Sequence, residues 1–283
     1  MNAIELKLFS SRVSAICDEM GTVLRRTAFS PNIKDRLDFS CALFSTNGKL
    51  FAQAAHIPVH LGSMAFAMES IIENRQWSGG DMLVLNDPYL GGTHLPDVTL
   101  IAPVFVEQGR RLIGFVANRA HHANIGCDTP GSMPMSSSLE EEGLIIPPTL
   151  LFKSGVLQQE ALALLQVQGG ALSGDFAAQA GANRLGVQRL QSLLLTMSVI
   201  NYSQGMWQLN DYADRITANA IAGLQVGEYS FTDYLDDDGC GQSTIKLALT
   251  LRIKPDSLEL DFRDSSEQVA GNLNCPESVV AAA

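Results

Sequence analysis

Residues 91–126 read GGTHLPDVTLIAPVFVEQGRRLIGFVANRAHHANIG, and this stretch decides the fold. Two apolar runs, 98–107 and 111–120, flank Gln108-Gly109 and predict two strands joined by a short turn. In an antiparallel pair, the start of the first strand lies beside the end of the second. We therefore expect residues just before the first run to meet residues just after the second.

The ends of this predicted hairpin carry side chains of the types that commonly bind metal ions. His94 and Asp97 precede the first run, while His121 and His122 follow the second. Two imidazoles with one carboxylate form a recurring ligand set for a catalytic divalent ion and leave positions open for water or substrate. The set suits Zn, Mn or Fe without choosing among them. A plain hydrogen-bonding role is the alternative, but the convergence favours a metal site.

Other polar residues give weaker signals. Asp87 follows the apolar run 82–85, where site residues often lie, although an Asn-Asp-Pro turn explains it equally well. Glu142 closes a run of three glutamates, usually a solvated stretch, but it precedes an apolar segment and can serve as a base or further ligand. His56 and His60 have no carboxylate nearby in sequence, which favours an ordinary hydrogen-bonding role for both.

The rest of the chain alternates between helical and extended patterns. Helices are predicted at 4–26, 61–75, 176–198 and 202–224, the last two being a central pair of long helices. Asn47-Gly48 predicts a β-hairpin over 38–53, and further strands are expected at 82–85, 143–153, 229–235, 244–253 and 257–262. Residues 236–239 (DDDG) predict a turn, since they lack the alternating acids of a Ca²⁺ loop. This order predicts an α+β fold with mixed or antiparallel sheets.

We divide the chain into a metal-binding lobe (1–156), a helical segment (157–226) and a β-rich segment (227–283). A new helix is expected at Pro276, only a few residues before the last one, and so short a helix is marginal alone. We therefore expect further polypeptide, either missing from this chain or lying on another one.

Composition excludes several classes of function. The net charge of −11 argues against a nucleic-acid partner, because phosphate binding needs a basic face. No apolar run is long enough to span a membrane, and the five widely spaced cysteines suggest neither disulfides nor a thiolate zinc site. A cytoplasmic protein is expected. The sequence has no Gly-rich loop ending in Gly-Lys-Ser/Thr, so any ATP is expected to bind elsewhere.

Five segments resemble the hydantoinase B/oxoprolinase family. They are 27–64, 86–105 (NDPYLGGTHLPDVTLIAPVF), 119–134 (with RAHHANIG), 140–148 (EEEGLIIPP) and 261–276 (DFRDSSEQVAGNLNCP). The resemblance runs in order along essentially the whole chain, but it covers only the N-terminal half of the family pattern. Ile125-Gly126-Cys127 departs from the pair of glycines common at that point in the family.

The resemblance implies a metal-dependent component of an ATP-dependent cyclic amide hydrolase, of hydantoinase or 5-oxoprolinase type. It implies a hetero-oligomer in which ATP is held by a hydantoinase A-type subunit that activates the substrate. His94, Asp97 and His121 match the family's metal ligands, while His122, Glu142 and Asp87 are the candidate catalytic residues. Two alternatives stay open: a component of an acetone- or acetophenone-type ketone carboxylase, and an inactive, truncated or scaffolding chain.

Overall fold

The hairpin within residues 91–126 forms the middle of a seven-stranded sheet. Our computed structural model describes residues 1–54, 57–73, 75–127, 129–131, 134–166, 172 and 174–283. The strands of this sheet are β1 (Phe39–Phe44), β2 (Leu50–Ala54), β3 (Met82–Leu85), β4 (Asp97–Val106), β5 (Arg111–His121), β6 (Thr149–Lys153) and β7 (Val156–Leu157). They lie in the order β2-β1-β5-β4-β3-β6-β7, and each pair is antiparallel.

Helices cover both faces of this sheet. Helix α1 (Ala3–Thr27) and helix α6 (Gly174–Thr196) pack on one face, and α3 (Pro58–Glu73) packs on the other. Successive residues of a strand point to opposite faces. Along β5, Val116 and Ala120 therefore join the core under α1 and α6, while Phe115 and Ala117 join the core under α3.

Local sequence explains where the first helices begin. Asn2 and Glu5 form a capping box, in which each side chain accepts a hydrogen bond from the other's backbone N–H, at 2.9 and 2.8 Å. Helix α1 ends at Thr27, and Pro31 begins a second short helix, α2 (Pro31–Lys34), because a proline at the first helical position gives up no hydrogen bond. The helix predicted at 4–26 is thus followed by a break and a second short helix.

The remaining helices are α4 (Leu139–Glu142), α5 (Gln159–Leu164), α7 (Val199–Ala222) and α8 (Glu277–Ala282). Helices α6 and α7 are the predicted central pair, and α8 begins directly after Pro276, as predicted. The extended segment predicted at 143–153 forms a strand only from Thr149, because Pro147 and Pro148 cannot donate to a ladder. Within the described residues, no helix is both long enough and apolar enough to cross a membrane.

A second, three-stranded sheet has one apolar and one polar face. It contains β8 (Gly227–Asp237), β9 (Ser243–Ile253) and β10 (Leu258–Asp261), in the order β10-β9-β8. The register places Phe231 beside Leu249 and Leu251 beside Leu260, so that one face is apolar. On the other face, Arg252 forms ion pairs with Glu228, Glu259 and Asp261. Asp236 and Asp237 of the DDDG segment still belong to β8, and the turn to β9 begins at Asp238, two residues later than predicted.

These elements give an α+β protein with antiparallel sheets, which confirms the predicted fold class. The segment before α6 contributes β7 to the edge of the seven-stranded sheet, and α6 itself packs against β4 and β5. Helix α8 packs against α3. The last helix of the chain therefore lies on the α3 side of the large sheet.

Candidate metal centre

The β4–β5 hairpin brings Asp97 and His121 directly opposite each other. These two residues are register partners at the open end of the hairpin. Both side chains point to the α3 face of the sheet, in line with Ile101 and Ala117 further along the two strands. His121 Nδ1 lies 3.4 Å from Asp97 Oδ1. The predicted neighbourhood of these two residues is present in the structure.

The loop before β4 adds His94 to this pair. Its Nε2 atom lies 3.1 Å from Asp97 Oδ1, and the rings of His94 and His121 meet edge to face, 4.9 Å apart. A tight loop is needed for this approach, and Gly92 permits it, since a Cβ there would fall 2.1 Å from the carbonyl oxygen of Asn86. Thr93 donates its hydroxyl hydrogen to Asp97 Oδ2 at 2.6 Å, which fixes the carboxylate.

Two further residues reach the same point from other elements. Asp38 precedes β1, and its carbonyl accepts a hydrogen bond from the backbone N–H of His121, which holds it beside β5. Asp38 Oδ2 lies 3.7 Å from His121 Nδ1. His60, on α3, places its Nε2 atom 3.3 Å from Asp97 Oδ2 and 3.6 Å from Asp38 Oδ1.

No carboxylate is near His60 in the sequence, but the structure places two beside it, and its predicted hydrogen-bonding role stays a prediction. The two carboxylates are distant in sequence and reach His60 through the packing of α3 against the sheet. His56, about which the sequence made the same prediction, lies outside the described residues. His60 precedes the helix predicted at 61–75, so nothing in the sequence indicated that it lies near the open end of the hairpin, and Asp38 offered no signal beyond its place at the start of the hairpin predicted over 38–53.

Two overlapping groups of these residues have ligand atoms close enough to hold a metal ion. The first group is His94, Asp97 and His121, and the second is Asp38, His60 and Asp97; within each group the ligand atoms lie within 4.8 Å of one another. Around a tetrahedral zinc ion, ligand atoms about 2.1 Å from the metal lie about 3.4 Å from each other. The distance of 3.4 Å between His121 Nδ1 and Asp97 Oδ1 matches such an edge, and the 3.1 Å between His94 Nε2 and Asp97 Oδ1 lies between this edge and an ordinary hydrogen bond of about 2.9 Å.

The side-chain hydrogen bond of His121 leaves its other ring nitrogen available to a metal ion. Its Nε2 atom lies 3.1 Å from the carbonyl oxygen of Gly131, so Nε2–H donates there and leaves the lone pair of Nδ1 facing Asp97. Histidine ligands commonly use the second nitrogen in this way. Burial alone would lower the pKa of His121, but contact with Asp97 and the charge of Asp38 raise it.

Asp97 is a buried acceptor with one oxygen free for a ligand. Within the described part of the chain, its Oδ1 atom is buried and accepts no hydrogen bond, whereas Oδ2 is bonded to Thr93. Burial opposes ionisation, but His121, His60 and His94 hold the pKa of this carboxyl well below its usual range. An ionised carboxylate and imidazole lone pairs in one buried cluster are the donor set that divalent Zn, Mn or Fe takes.

A buried arginine lies in the same layer, behind the cluster. Arg119 is 1% exposed and points to the α3 face, two residues before His121. It donates to the Thr99 hydroxyl at 2.7 Å, the Ser63 hydroxyl at 2.5 Å and the Gly91 carbonyl at 2.9 Å. Burial lowers the pKa of Arg119 to about 10, while the charge of Asp97 opposes that change. The guanidinium therefore stays charged and ties α3 to the loop that carries His94.

The structure does not bring His122 to this cluster. Consecutive strand residues face opposite ways, so His122 lies on the α6 side, where its Nε2–H donates to Gln179 Oε1 at 2.8 Å. Its ring also packs against Phe176. Burial lowers the pKa of His122, with Gln179 and Asp175 opposing that effect, and the ring is only 4% exposed. Its observed contacts join α6 to the sheet.

Glu142 lines a pocket beside the cluster, whereas Asp87 is not among the residues that line it. Asp87 accepts a hydrogen bond from the Tyr89 N–H at 2.9 Å and caps a short 3₁₀ turn, the turn that was its alternative interpretation. Glu142, at the end of α4, lines a pocket of about 620 Å³ together with His94 and Asp97. Burial raises the pKa of Glu142, although the charge of His94 and a hydrogen bond with Ser136 oppose the change.

The pocket opens onto the cluster from one side. Its walls come from the 3₁₀ turn, residues 137–142 and the C-terminal segment 268–276. Of the cluster, His94 and Asp97 line the pocket, and His94 is the most exposed member, at 27% of its side chain. A small molecule in the pocket would therefore meet His94 and Asp97 of the cluster, together with Glu142.

Comparison with known proteins identifies the family. A sequence model described as hydantoinase B/oxoprolinase matches residues 2–283. The 5-oxoprolinase of Saccharomyces cerevisiae is 39% identical and is matched by 100% of this chain, which spans 23% of its length. An uncharacterised protein of Methanocaldococcus jannaschii is 37% identical, again over 100% of this chain and 51% of its own length. This chain thus spans about half or less of the curated relatives that it matches.

Solved structures share the fold. The ATP-dependent caprolactamase of Pseudomonas jessenii superposes with a TM-score of 0.87 at 26% identity, over 100% of this chain and 49% of that one. An acetone carboxylase superposes with a TM-score of 0.86, over 99% of this chain and 40% of that one, but at 19% identity it is similar in fold alone. The chain belongs to the hydantoinase B/oxoprolinase family.

Proposed function

We propose that this chain is the metal-binding component of an ATP-dependent hydrolase that opens cyclic amides. One observation carries the proposal: His94, Asp97 and His121 converge at distances that suit a divalent ion, beside a pocket of about 620 Å³. Relatives named 5-oxoprolinase and caprolactamase support the amide substrate class. In this proposal, Asp38 is a fourth ligand, because its Oδ2 atom faces His121 Nδ1, the nitrogen that also faces Asp97.

The bound ion, when present, would polarise a carbonyl oxygen or lower the pKa of a water molecule. The chain itself supplies orientation and proton transfer. Thr93 holds the Asp97 carboxylate in place, and His94 presents the exposed edge of the cluster to the pocket. Glu142 is the acid or base in this proposal, since it lines the pocket with His94 and burial raises its pKa, so that it holds a proton more readily than an exposed glutamate. His122 takes no such role, because it faces α6.

The proposal includes a partner that binds ATP. The caprolactamase is named as ATP-dependent, and a Pseudomonas relative, 29% identical over 98% of this chain, carries a provisional name as one of the subunits of a D-/L-hydantoinase. We propose that ATP binds to a hydantoinase A-type partner, which activates the amide oxygen, and that the activated amide then enters the pocket beside His94. Ketone carboxylation is not proposed as a second function, because the likeness to acetone carboxylase is one of fold alone.

The test is a metal analysis combined with turnover. The protein, purified with its ATP-binding partner, is expected to contain a divalent ion and to open 5-oxoproline or a hydantoin in the presence of ATP. His94→Ala and Asp97→Asn should lose most of both the metal and the activity. His122→Gln is the matched control, a neighbouring buried histidine on the other face, and should keep its metal content. Equal metal content in wild type and His94→Ala would contradict the proposal.

A further inference from the structure

The α3 histidine, His60, is the member of the cluster whose role is least obvious. It is 2% exposed and faces both carboxylates, yet it belongs to the second of the two overlapping metal-binding groups. Two assignments fit its position. His60 is either a ligand of a second ion, bridged to the first through Asp38 and Asp97, or a hydrogen-bond donor that holds these carboxylates for a single ion.

We propose that His60 is a positioning residue that donates Nε2–H to the Asp97 carboxylate of a mononuclear centre. This inference rests on the ion proposed above. It assigns Oδ2 of Asp97 to hydrogen bonding, with His60 and Thr93 as its two donors, and leaves Oδ1 for the ion. A carboxylate oxygen has about two lone pairs, so these two donors would saturate Oδ2.

The second nitrogen of His60 supports this assignment. Among the described residues, Nδ1 of His60 is buried and has no hydrogen-bond partner. A neutral histidine that binds a metal through Nε2 carries its hydrogen on Nδ1, and a buried N–H without an acceptor is destabilising. If Nε2 carries the hydrogen, Nδ1 is only an unused acceptor. His121 shows the opposite pattern, because its second nitrogen meets the Gly131 carbonyl.

Charge supports the same conclusion. The two carboxylates, Asp38 and Asp97, balance one divalent ion. Arg119 already adds a buried positive charge close enough to act on Asp97, and its hydrogen bond to the Ser63 hydroxyl ties it to the helix that carries His60. A second divalent ion would leave an excess of positive charge in a buried site, which is costly without further anions. A neutral donor from α3 adds no charge.

The test separates donation from coordination by substitution and metal titration. The probe is Zn²⁺ added to metal-stripped protein, with any co-purifying partner retained, and the readouts are bound metal per chain and affinity. Wild type is expected to bind one ion. His60→Gln places an amide N–H near the position of Nε2 and should keep one ion at nearly the wild-type affinity. His60→Leu removes the donor and should weaken binding about 10–100-fold, as loss of an outer hydrogen-bond partner does.

Thermal unfolding with and without Zn²⁺ distinguishes positioning from general support. A purely structural role for His60 would lower the Tm of apo and loaded protein equally, whereas positioning reduces the Zn²⁺-induced rise in Tm. His122→Leu serves as the comparison and should lower both values alike. Two ions in wild type, or an unchanged affinity in His60→Leu, would overturn this inference while leaving the proposed function standing. Absence of any bound ion in wild type would overturn both.

Discussion

Asp38 lies between two imidazoles of the cluster, and we expect it to contribute to metal affinity. Its two oxygens face different histidines, with Oδ1 toward His60 and Oδ2 toward His121. We predict that Asp38→Asn lowers Zn²⁺ affinity at least about tenfold, because an amide oxygen is a weaker ligand without charge. Asp35→Asn, an exposed change three residues earlier, is the control. Metal titration by calorimetry measures both, and equal affinities would remove Asp38 from the ligand set.

Arg119 makes the buried hydrogen bonds behind the candidate metal site. Replacement by Met would leave three acceptors without their donor and Asp97 without a nearby positive charge. We predict that Arg119→Met lowers the free energy of unfolding by about 3–5 kcal/mol, the usual cost of breaking a buried charged contact. Chemical denaturation in the absence of metal measures this change. The exposed Arg110→Met should change it by less than about 0.5 kcal/mol.

At the scale of elements, Asn86 joins three separate segments behind the site. Its Nδ2 donates to the carbonyls of Leu95 and Leu144, and its Oδ1 accepts from the N–H of Ile146. Asn86→Ala leaves these buried groups unpaired, at about 1–3 kcal/mol each in isolation. We predict a loss of about 2–4 kcal/mol, since partial relaxation keeps such losses below additivity. Denaturant unfolding checks the value, and a loss under about 1 kcal/mol would contradict it.

The start of α6 carries a carboxylate that makes stability depend on pH. Asp175 accepts hydrogen bonds from the N–H groups of Phe29 and Ser30 and from the Ser30 hydroxyl. Burial opposes ionisation, but these bonds, led by that from Ser30, lower the pKa of Asp175. A lowered pKa in the folded state means that the carboxylate stabilises the protein above the unfolded value of about 3.9. The contribution is lost as pH falls through the lowered folded pKa.

We therefore predict that wild type is more stable than Asp175→Asn at pH 7 and that the difference shrinks below about pH 4. Urea unfolding across this pH range is the measurement. A pH-independent difference would show that the carboxylate charge is irrelevant and that only the shape of the side chain matters.

The sequence predicted those parts of the site that are built from elements adjacent in the sequence. The hairpin is a local structure, so the meeting of Asp97 with His121 followed from two apolar runs and a turn. His60 could not be placed in the same way, because α3 reaches the cluster only by packing across the sheet. His122 was expected beside the cluster together with His121, but it lies on the other face of the sheet. Consecutive side chains of a strand point to opposite faces, so this position follows from the two-residue period of a strand.

At the scale of the whole molecule, the smaller sheet exposes its apolar face. Phe231 is 71% exposed, Leu260 54% and Leu247 47%, all on the same side as Leu249 and Leu251. A contiguous exposed apolar face of this kind favours association. We predict that residues 1–283 produced alone self-associate and that Phe231→Glu reduces this association. Sedimentation velocity measures it, with Thr232→Glu on the polar face as the control that should leave association unchanged.

The C-terminal segment also bears on how a ligand would affect the chain. Residues 268–276 form a wall of the pocket, and the Ser278 hydroxyl donates to the carbonyl of Gly92, in the loop that carries His94. A molecule bound between these walls would hold together regions almost two hundred residues apart. Cleavage by trypsin after Arg263, an exposed residue just before this wall, should accordingly slow when the pocket is filled.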